Sequence, residues 1–358
     1  MQTDLLGIST RTEREHAVAR AVELLRKGEV VALPTETVYG LAADALNPIA
    51  VAKIFEAKER PRFDPLIVHL PSRDWLEKIV DVSMQHRQLI LKLVDKFWPG
   101  PFTMVLQKRE IVPEIVTAGL DTVAVRISAH PVFAEIVREL DQPLAAPSAN
   151  RFGRISPTTA QHVLDELDRR IPLIIDGGPT EHGIESTVVA VGGDKLDILR
   201  RGPITEEQLC GLGFQPISDR QDAAATTRVR APGQFPSHYA PETPLRVIDK
   251  AESFSPQENQ RVGLLAWNPI SRKGDLQIAQ RRTGDRRSLK FAAIRRLSEK
   301  EDLREAAANL FRYLRELDAL GLDLIVAERV PALRLGAAIL DRLERASHAQ
   351  PVAPGMPE

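Results

Sequence analysis

A single cysteine, Cys210, in 358 residues excludes an internal disulfide and any zinc site built on cysteine ligands. The expectation for that thiol is a structural role. Net charge is also missing, because 48 basic residues face 49 acidic ones, giving −1 at pH 7. Wholesale attraction to a polyanion is therefore excluded, and any contact with a nucleotide or nucleic acid must come from local clusters. No apolar run approaches the span of a bilayer, and the opening residues MQTDLLGISTRTEREH hold no apolar core of signal-peptide length. A cytoplasmic location is expected.

Common catalytic signatures are absent as well. No GxGxxG follows a strand-like run. The spacing Gly178 to Gly183 imitates the start of a Walker A loop, but Ile184 and Glu185 stand where Lys and Ser/Thr are required. There is no HExxH and no plausible Ser-His-Asp order.

What is present suits two domains, each long enough to bury its own core. Twenty-six prolines punctuate edges and turns rather than signalling disorder, except in the tail. Thr12 and Glu15 have capping-box spacing, and helical periodicity runs from there to Lys27, ended by Gly28. Apolar runs predict strands at 30–33, 102–106, 122–127, 143–146, 173–176, 188–191 and 196–200. Helices are predicted at 86–97, from a first turn carrying Pro157, and near 205–209. From 213 to 244 apolar periodicity disappears, which reads as a linker. Its piece APGQFPSHYAP carries aromatic residues and is expected to lie against a surface. Beyond it, strands at 245–248, 262–267 and 324–327 alternate with helices at 303–320 and 335–345, a small α/β domain. Arg281, Arg282, Arg286, Arg287, Lys290, Arg295 and Arg296 form a basic cluster that reads as a solvated face, with an RNA contact as the alternative.

The segment Lys53 to Leu70, KIFEAKERPRFDPLIVHL, is the stretch around which the chain is organised. A lysine-bearing helix breaks at Pro61 and Pro65, and a short apolar run then ends in His69. Proline stiffens both itself and its predecessor, so Lys58, Arg60 and Arg62 start from a fixed backbone. That suits a phosphate, or simply a solvated charged turn. Thr35 and Thr37 present hydroxyls at the end of a predicted strand, although turn chemistry and capping are the commoner role for either taken alone. Arg126 stands inside an apolar strand and needs a partner, which is either structural or an anionic ligand. Ser148 and Asn150 fall between a strand and a helix start, a place where backbone N–H groups meet anions. Together these cations and hydroxyls suit electrostatic stabilisation of a triphosphate better than covalent catalysis.

The ordered motifs PTETVYGLAADA, KERPRFDPLIVHL, FWPGPFTMVL, TVAVRIS, APSANRFGRISPT and GIESTVV resemble the YrdC-like threonylcarbamoyl-AMP synthases. Lys58/Arg60 match the Lys-x-Arg signature of that family and Ser148/Asn150 its Ser-x-Asn signature. The second domain, with LIVAERVPALRLGAAILDRL, resembles the long, two-domain form. The resemblance implies an α/β fold: a YrdC-like twisted mixed sheet flanked by helices around a concave basic site (1–212), a linker or lid (213–244), a smaller Rossmann-like α/β domain (245–346) and a disordered tail (347–358).

It also implies a reaction, in which L-threonine, bicarbonate and ATP, with Mg2+, give threonylcarbamoyl-AMP, pyrophosphate and water. The product passes to a tRNA threonylcarbamoyl transferase complex, with a weak tRNA contact possible and no membrane involved. Carried over by position, Thr35, Thr37, His69, Arg126 and Ser186 hold threonine, Arg126 taking its carboxylate as a bidentate pair. Lys58, Arg60, Asp64, Thr122, Ser148, Asn150, Ser156, Arg200 and Tyr239 surround the nucleotide, with Lys58 and Arg60 as the catalytic cations. No protein side chain is expected to ligate the metal directly. Two departures from the family pattern stand out. Asp64 occupies a position where asparagine is frequent, which suggests a magnesium-linked role, and the linker motif begins with Ala231. Competing readings are an RNA-binding module, a carbamoyl-transfer enzyme of hydrogenase maturation and a scaffold.

Overall fold

The computed structural model describes residues 2–192, 195–217, 239–267 and 291–348. The chain divides into two compact units, one of Met1–Phe152 with Ser156–Phe235, the other of Gly153–Ile155 with Pro236–Glu358.

In chain order the first unit contains strands β1 (Asp4–Gly7), β2 (Val31–Leu33), β3 (Gly40–Asp44), β4 (Ile67–His69), β5 (Phe102–Gln107), β6 (Thr122–Arg126), β7 (Leu144–Ala145), β8 (Leu173–Asp176), β9 (Thr187–Gly192), β10 (Lys195–Arg200) and β11 (Gln215–Ile217). They form one mixed sheet in the order β1-β8-β2-β3-β7-β4-β6-β5-β9-β10-β11. Because β11 pairs in parallel with β10, the sheet continues past residue 212 to Ile217. Residues 218–238 of the expected linker lie outside the described residues.

Alternation along these strands sorts the side chains onto two faces. Val68, Met104, Val123, Val125 and Val189 join one large apolar core with the helices Pro48–Lys58 and Arg87–Phe97. On the other face, the helices Arg11–Arg26 and Pro131–Leu140 close a second core over Leu33, Leu144, Leu173 and Ile175. Further across that second face lies a small cluster of Ile67, Val105, Ala124, Val188 and Ala190.

Local chemistry explains most helix ends. The first helix starts at Arg11, because Thr10 is its cap: its hydroxyl accepts from Glu13 N at 3.2 Å and the Glu13 carboxylate accepts from Thr10 N at 2.9 Å. The expected box on Thr12 is therefore displaced by two residues, and Glu15 instead pairs with Arg11 one turn away, at 2.7 Å. Likewise the helix expected from Pro157 begins at Ala160, where the Thr159 hydroxyl accepts from His162 N. Cys210, expected to be structural, is exposed at the end of the helix Glu206–Cys210.

The second unit holds β12 (Leu245–Ile248), β13 (Val262–Ala266), β14 (Ala293–Arg296) and β15 (Leu324–Glu328). All pairs are parallel, in the order β12-β15-β13-β14. Helices Leu303–Asp318 and Leu335–Ser347 accompany them. The central strands VGLLA and LIVAE are almost wholly buried, as parallel strands covered on both faces require. Of the basic cluster, Arg281 to Lys290 lies outside the described residues. Arg295 and Arg296 sit on β14, paired with Glu316 and Glu299. The tail from residue 349 also lies outside, and the last helix runs to Ser347. Among the described residues no helix is long and apolar enough to cross a membrane.

Candidate active site

Register places the candidate residues. His69 pairs with Leu144 on one side and with Arg126 on the other. Continuing the β5–β6 register by one residue sets Arg126 opposite Thr103, which pairs with Val188, itself paired with Arg200. Side chains in direct register share a face, so His69, Arg126, Thr103 and Arg200 form a row on the face that carries the small apolar cluster.

Arg126 is 3% exposed and His69 likewise. A guanidinium at that depth requires a partner, and Glu36 supplies it: Arg126 Nη2 pairs with Glu36 Oε1, and the Ser128 hydroxyl donates to Glu36 Oε2. Arg126 Nη1 also donates to Thr37 Oγ1 at 3.3 Å. Burial pushes the Glu36 carboxyl up, but the Arg126 charge, the Ser128 hydroxyl and the backbone amides of Glu36 and Ala129 outweigh it and hold it below the usual carboxylate range. Sequence reasoning missed Glu36. The one available signal was an acidic residue between Thr35 and Thr37, 90 positions away from an arginine in need of a partner.

The turn at Thr35 is built from its own hydroxyl, which donates to Val38 O at 2.6 Å and accepts from Thr37 N and Val38 N. Thr35 and Thr37 hydroxyls lie 2.9 Å apart. Tyr39 is a bracket rather than a ligand group, since its hydroxyl donates to Gly178 O at 2.7 Å and accepts from Gly177 N at 3.1 Å. His69 lies 4.7 Å from the Phe133 ring. Burial, and then the Arg126 charge, push its imidazole well below the usual histidine range, so it is neutral at pH 7. Its Nδ1 has no hydrogen-bond partner among the described residues.

Ser186 completes this end of the site. Its hydroxyl lies 2.8 Å from that of Thr103, and Arg200 Nη2 donates to it at 3.0 Å. Arg200, expected beside the nucleotide, thus stands next to Ser186, with Nε donating to the Ser186 carbonyl. Gly202 makes the approach possible: a Cβ there would lie 2.4 Å from Thr187 N and 2.6 Å from Glu185 O. Thr103 was another omission from the sequence reading, a hydroxyl inside the apolar run FTMVL.

Lys58, Arg60, Asp64, Thr122, Ser148 and Asn150 lie toward the opposite end of the same strands. Thr122 opens β6, four residues before Arg126, which is about 13 Å at the rise of an extended strand. Two residues before the Ile67–Ala124 pair, it is level with Pro65. There Arg60 donates to Pro65 O at 3.0 Å and pairs with Asp64 at 2.7 Å. Asp64 is fully buried, and burial raises its carboxyl despite the charges of Arg60, Lys58 and Arg200, so Arg200 also lies within electrostatic reach of this end. The Lys58 amine donates to Ser148 O at 2.6 Å and to Asn150 O. Burial, and then the Arg60 charge, hold it well below the usual lysine range. The Asn150 amide donates to Arg151 O, and buried Ser156 donates to Glu185 at 2.5 Å.

Tyr239 belongs to the second unit, where it is buried, its ring stacked on Phe311 at 5.4 Å and beneath the Arg342 guanidinium at 5.5 Å. Residues 231–238 of the expected lid lie outside the described residues.

Two family profiles together match most of the chain. The Sua5/YciO/YrdC family profile, described as telomere recombination, matches residues 23–202, and the profile of the threonylcarbamoyl-AMP synthase C-terminal domain matches residues 204–348. The threonylcarbamoyl-AMP synthase of Pyrococcus abyssi is 37% identical over 351 residues, covering 96% of this chain and 98% of the relative. That of Bacillus subtilis is 39% identical over 334 residues, 92% of each. The crystal structure of P. abyssi Sua5 complexed with L-threonine superimposes with a TM-score of 0.83 at 34% identity, covering 96% of this chain and 98% of the other. The chain belongs to the Sua5/YciO/YrdC family, in its two-domain form with the threonylcarbamoyl-AMP synthase C-terminal domain.

Proposed function

We infer that this chain is an L-threonylcarbamoyladenylate synthase, a nucleotidyltransferase acting in the first step of threonylcarbamoyladenosine formation on tRNA. The observation that carries the residue-level reading is the two-ended arrangement on β4 and β6. An arginine, a neutral histidine and hydroxyls gather at one end, buried cations with a threonine at the other, and apolar Ile67 and Ala124 lie between. That spacing suits an amino acid joined to an adenylate.

In this reading Arg126 takes the threonine carboxylate, while Thr35, Thr37, His69 and Ser186 meet its hydroxyl and amine. Threonine's neutral amine and bicarbonate give the carbamate and water. A carbamate oxygen then attacks the α-phosphorus of ATP, and the bond to the β-phosphate oxygen breaks to release pyrophosphate. Such a step needs alignment and charge neutralisation rather than a protein nucleophile. Lys58 and Arg60 face the phosphates with Thr122, Ser148, Asn150 and Ser156 around the nucleotide; Asp64 acts through Arg60, and Arg200 through Ser186. No group of three or more His, Cys, Asp or Glu among the described residues is arranged to hold a metal; Glu36 is engaged on both oxygens, and Asp64 is paired with Arg60 through Oδ2 while Oδ1 has no hydrogen-bond partner among the described residues. The residues therefore fit magnesium carried by the phosphates, its usual mode with nucleotides. Bound with the nucleotide, magnesium would supply charge neutralisation. The enzyme works in the cytoplasm, and its product goes to a tRNA threonylcarbamoyl transferase complex, with at most weak contact to tRNA.

The test is pyrophosphate release from ATP by the purified protein. Release that requires both L-threonine and bicarbonate, and is lost in Lys58→Ala, is the expected result. Absence of release by the folded protein, together with salt-sensitive RNA binding, would favour a binding module instead.

A further inference from the structure

We propose that Glu36 is a positioning residue that fixes the Arg126 guanidinium, so that Arg126 receives the substrate carboxylate through its Nε edge while remaining paired with Glu36. This rests on the reading of Arg126 as the carboxylate-binding group.

A buried carboxylate against a ligand-binding arginine invites the opposite idea, a latch that occupies the arginine and leaves when substrate arrives. The surroundings of Glu36 oppose that. Both of its oxygens are engaged, one by Arg126 and one by Ser128, with its own and the Ala129 backbone amides contributing further. Its carbonyl accepts from His182 N at 2.9 Å, and the Thr35 hydroxyl network fixes the turn on which it sits. Swinging out would break the carboxylate's bonds together and leave Ser128, itself 3% exposed, without its acceptor. Each such loss in a buried place costs more than a surface contact returns.

Arg126 shows the complementary pattern. Nη2 is taken by Glu36 and Nη1 by Thr37, while Nε has no hydrogen-bond partner among the described residues, on a side chain 3% exposed. Guanidinium donors are fixed in one plane. Holding two nitrogens therefore sets the direction of the third, and the Nε edge is the side left for an anion.

Glu36→Asp separates the two ideas, because it keeps the charge and withdraws the carboxylate by one methylene. Positioning predicts that the threonine KM rises about ten- to a hundred-fold, as misplacement of an orienting group by about 1 Å does, while the ATP KM stays within about two-fold. Ser128→Ala, which frees one carboxylate oxygen without touching Arg126, moves the threonine KM in the same direction by less. A carboxamide analogue, L-threoninamide, used as a competitive inhibitor, keeps its inhibition constant in Glu36→Asp, whereas general damage to the fold would weaken it too. A threonine KM that falls or stays constant in both variants overturns the proposal. Wild-type protein without threonine-dependent pyrophosphate release would instead overturn the underlying reading of the site, so the two failures are distinguishable.

Discussion

Both units bury charge, and they do so differently. In the second unit Glu328, at the end of β15, is 1% exposed and accepts from Ala251 N at 2.6 Å and Trp267 N at 2.8 Å. Its carboxylate ties down the chain after β12 and after β13, a stabilising use of a buried acid. In the first unit Arg126 is paired as completely on two nitrogens, yet Nε and the neighbouring His69 Nδ1 have no hydrogen-bond partner among the described residues. Buried polar atoms normally find partners, so depth alone does not mark a site. What sets Arg126 apart from Glu328 is a buried nitrogen that has no hydrogen-bond partner among the described residues.

Substitutions should divide along the same line. The largest effect is expected for Arg126→Ala: a threonine KM raised about a hundred-fold or more with a much smaller change for ATP. A loss of about 3–5 kcal/mol in folding stability should accompany it, because Glu36 is left buried and unpaired. Steady-state kinetics with each substrate varied, and denaturant unfolding, check both parts. Glu328→Ala should lower stability by about 1–3 kcal/mol through two unsatisfied backbone amides and leave the threonine KM unchanged; a selective rise in that constant would break the comparison. Gly202→Ala presses a methyl group onto the backbone beside Ser186, so it should raise the threonine KM more than the ATP KM.

Acid stability offers a subtler test. Burial holds His69 and His130 below the usual histidine value of 6.5. Between their folded values and 6.5 the unfolded chain binds more protons than the native one, so stability rises with pH there and is lost as pH falls below about 6.5. Glu36, held below 4.5, adds its own loss only in more acidic solution. Thermal midpoints between pH 7 and 5 should therefore decline, and less steeply in His130→Asn. The smallest effect is Thr10→Ala, about 1 kcal/mol from a lost cap, with kinetics unchanged.

Much of this was legible in the chain. Runs such as VVAL, TVAVRI and LIIDG announce their strands through β-branched residues. β3, GLAAD, does not, because small residues read poorly as strand and only pairing with β2 and β7 defines it. β14 was hidden inside a basic cluster, and its backbone is ordered by β13. The cap at Thr10 rather than Thr12 turns on backbone angles that spacing does not reveal. Within the site, the need of Arg126 for a partner was readable, but the identity of that partner was not, since Glu36 meets it across 90 residues of chain. Tyr239 illustrates the converse. The motif position suggested the nucleotide, and its ring packs on Phe311 and under Arg342 within the second unit, contacts that spacing does not reveal.

The measurement that tests the two-ended site most directly is calorimetric titration of L-threonine and, separately, of ATP into wild type, Arg126→Ala and Lys58→Ala. The account predicts that Arg126→Ala loses threonine binding and keeps ATP binding, and that Lys58→Ala does the reverse. Equal loss of both ligands in each folded variant, or the opposite assignment, would contradict it.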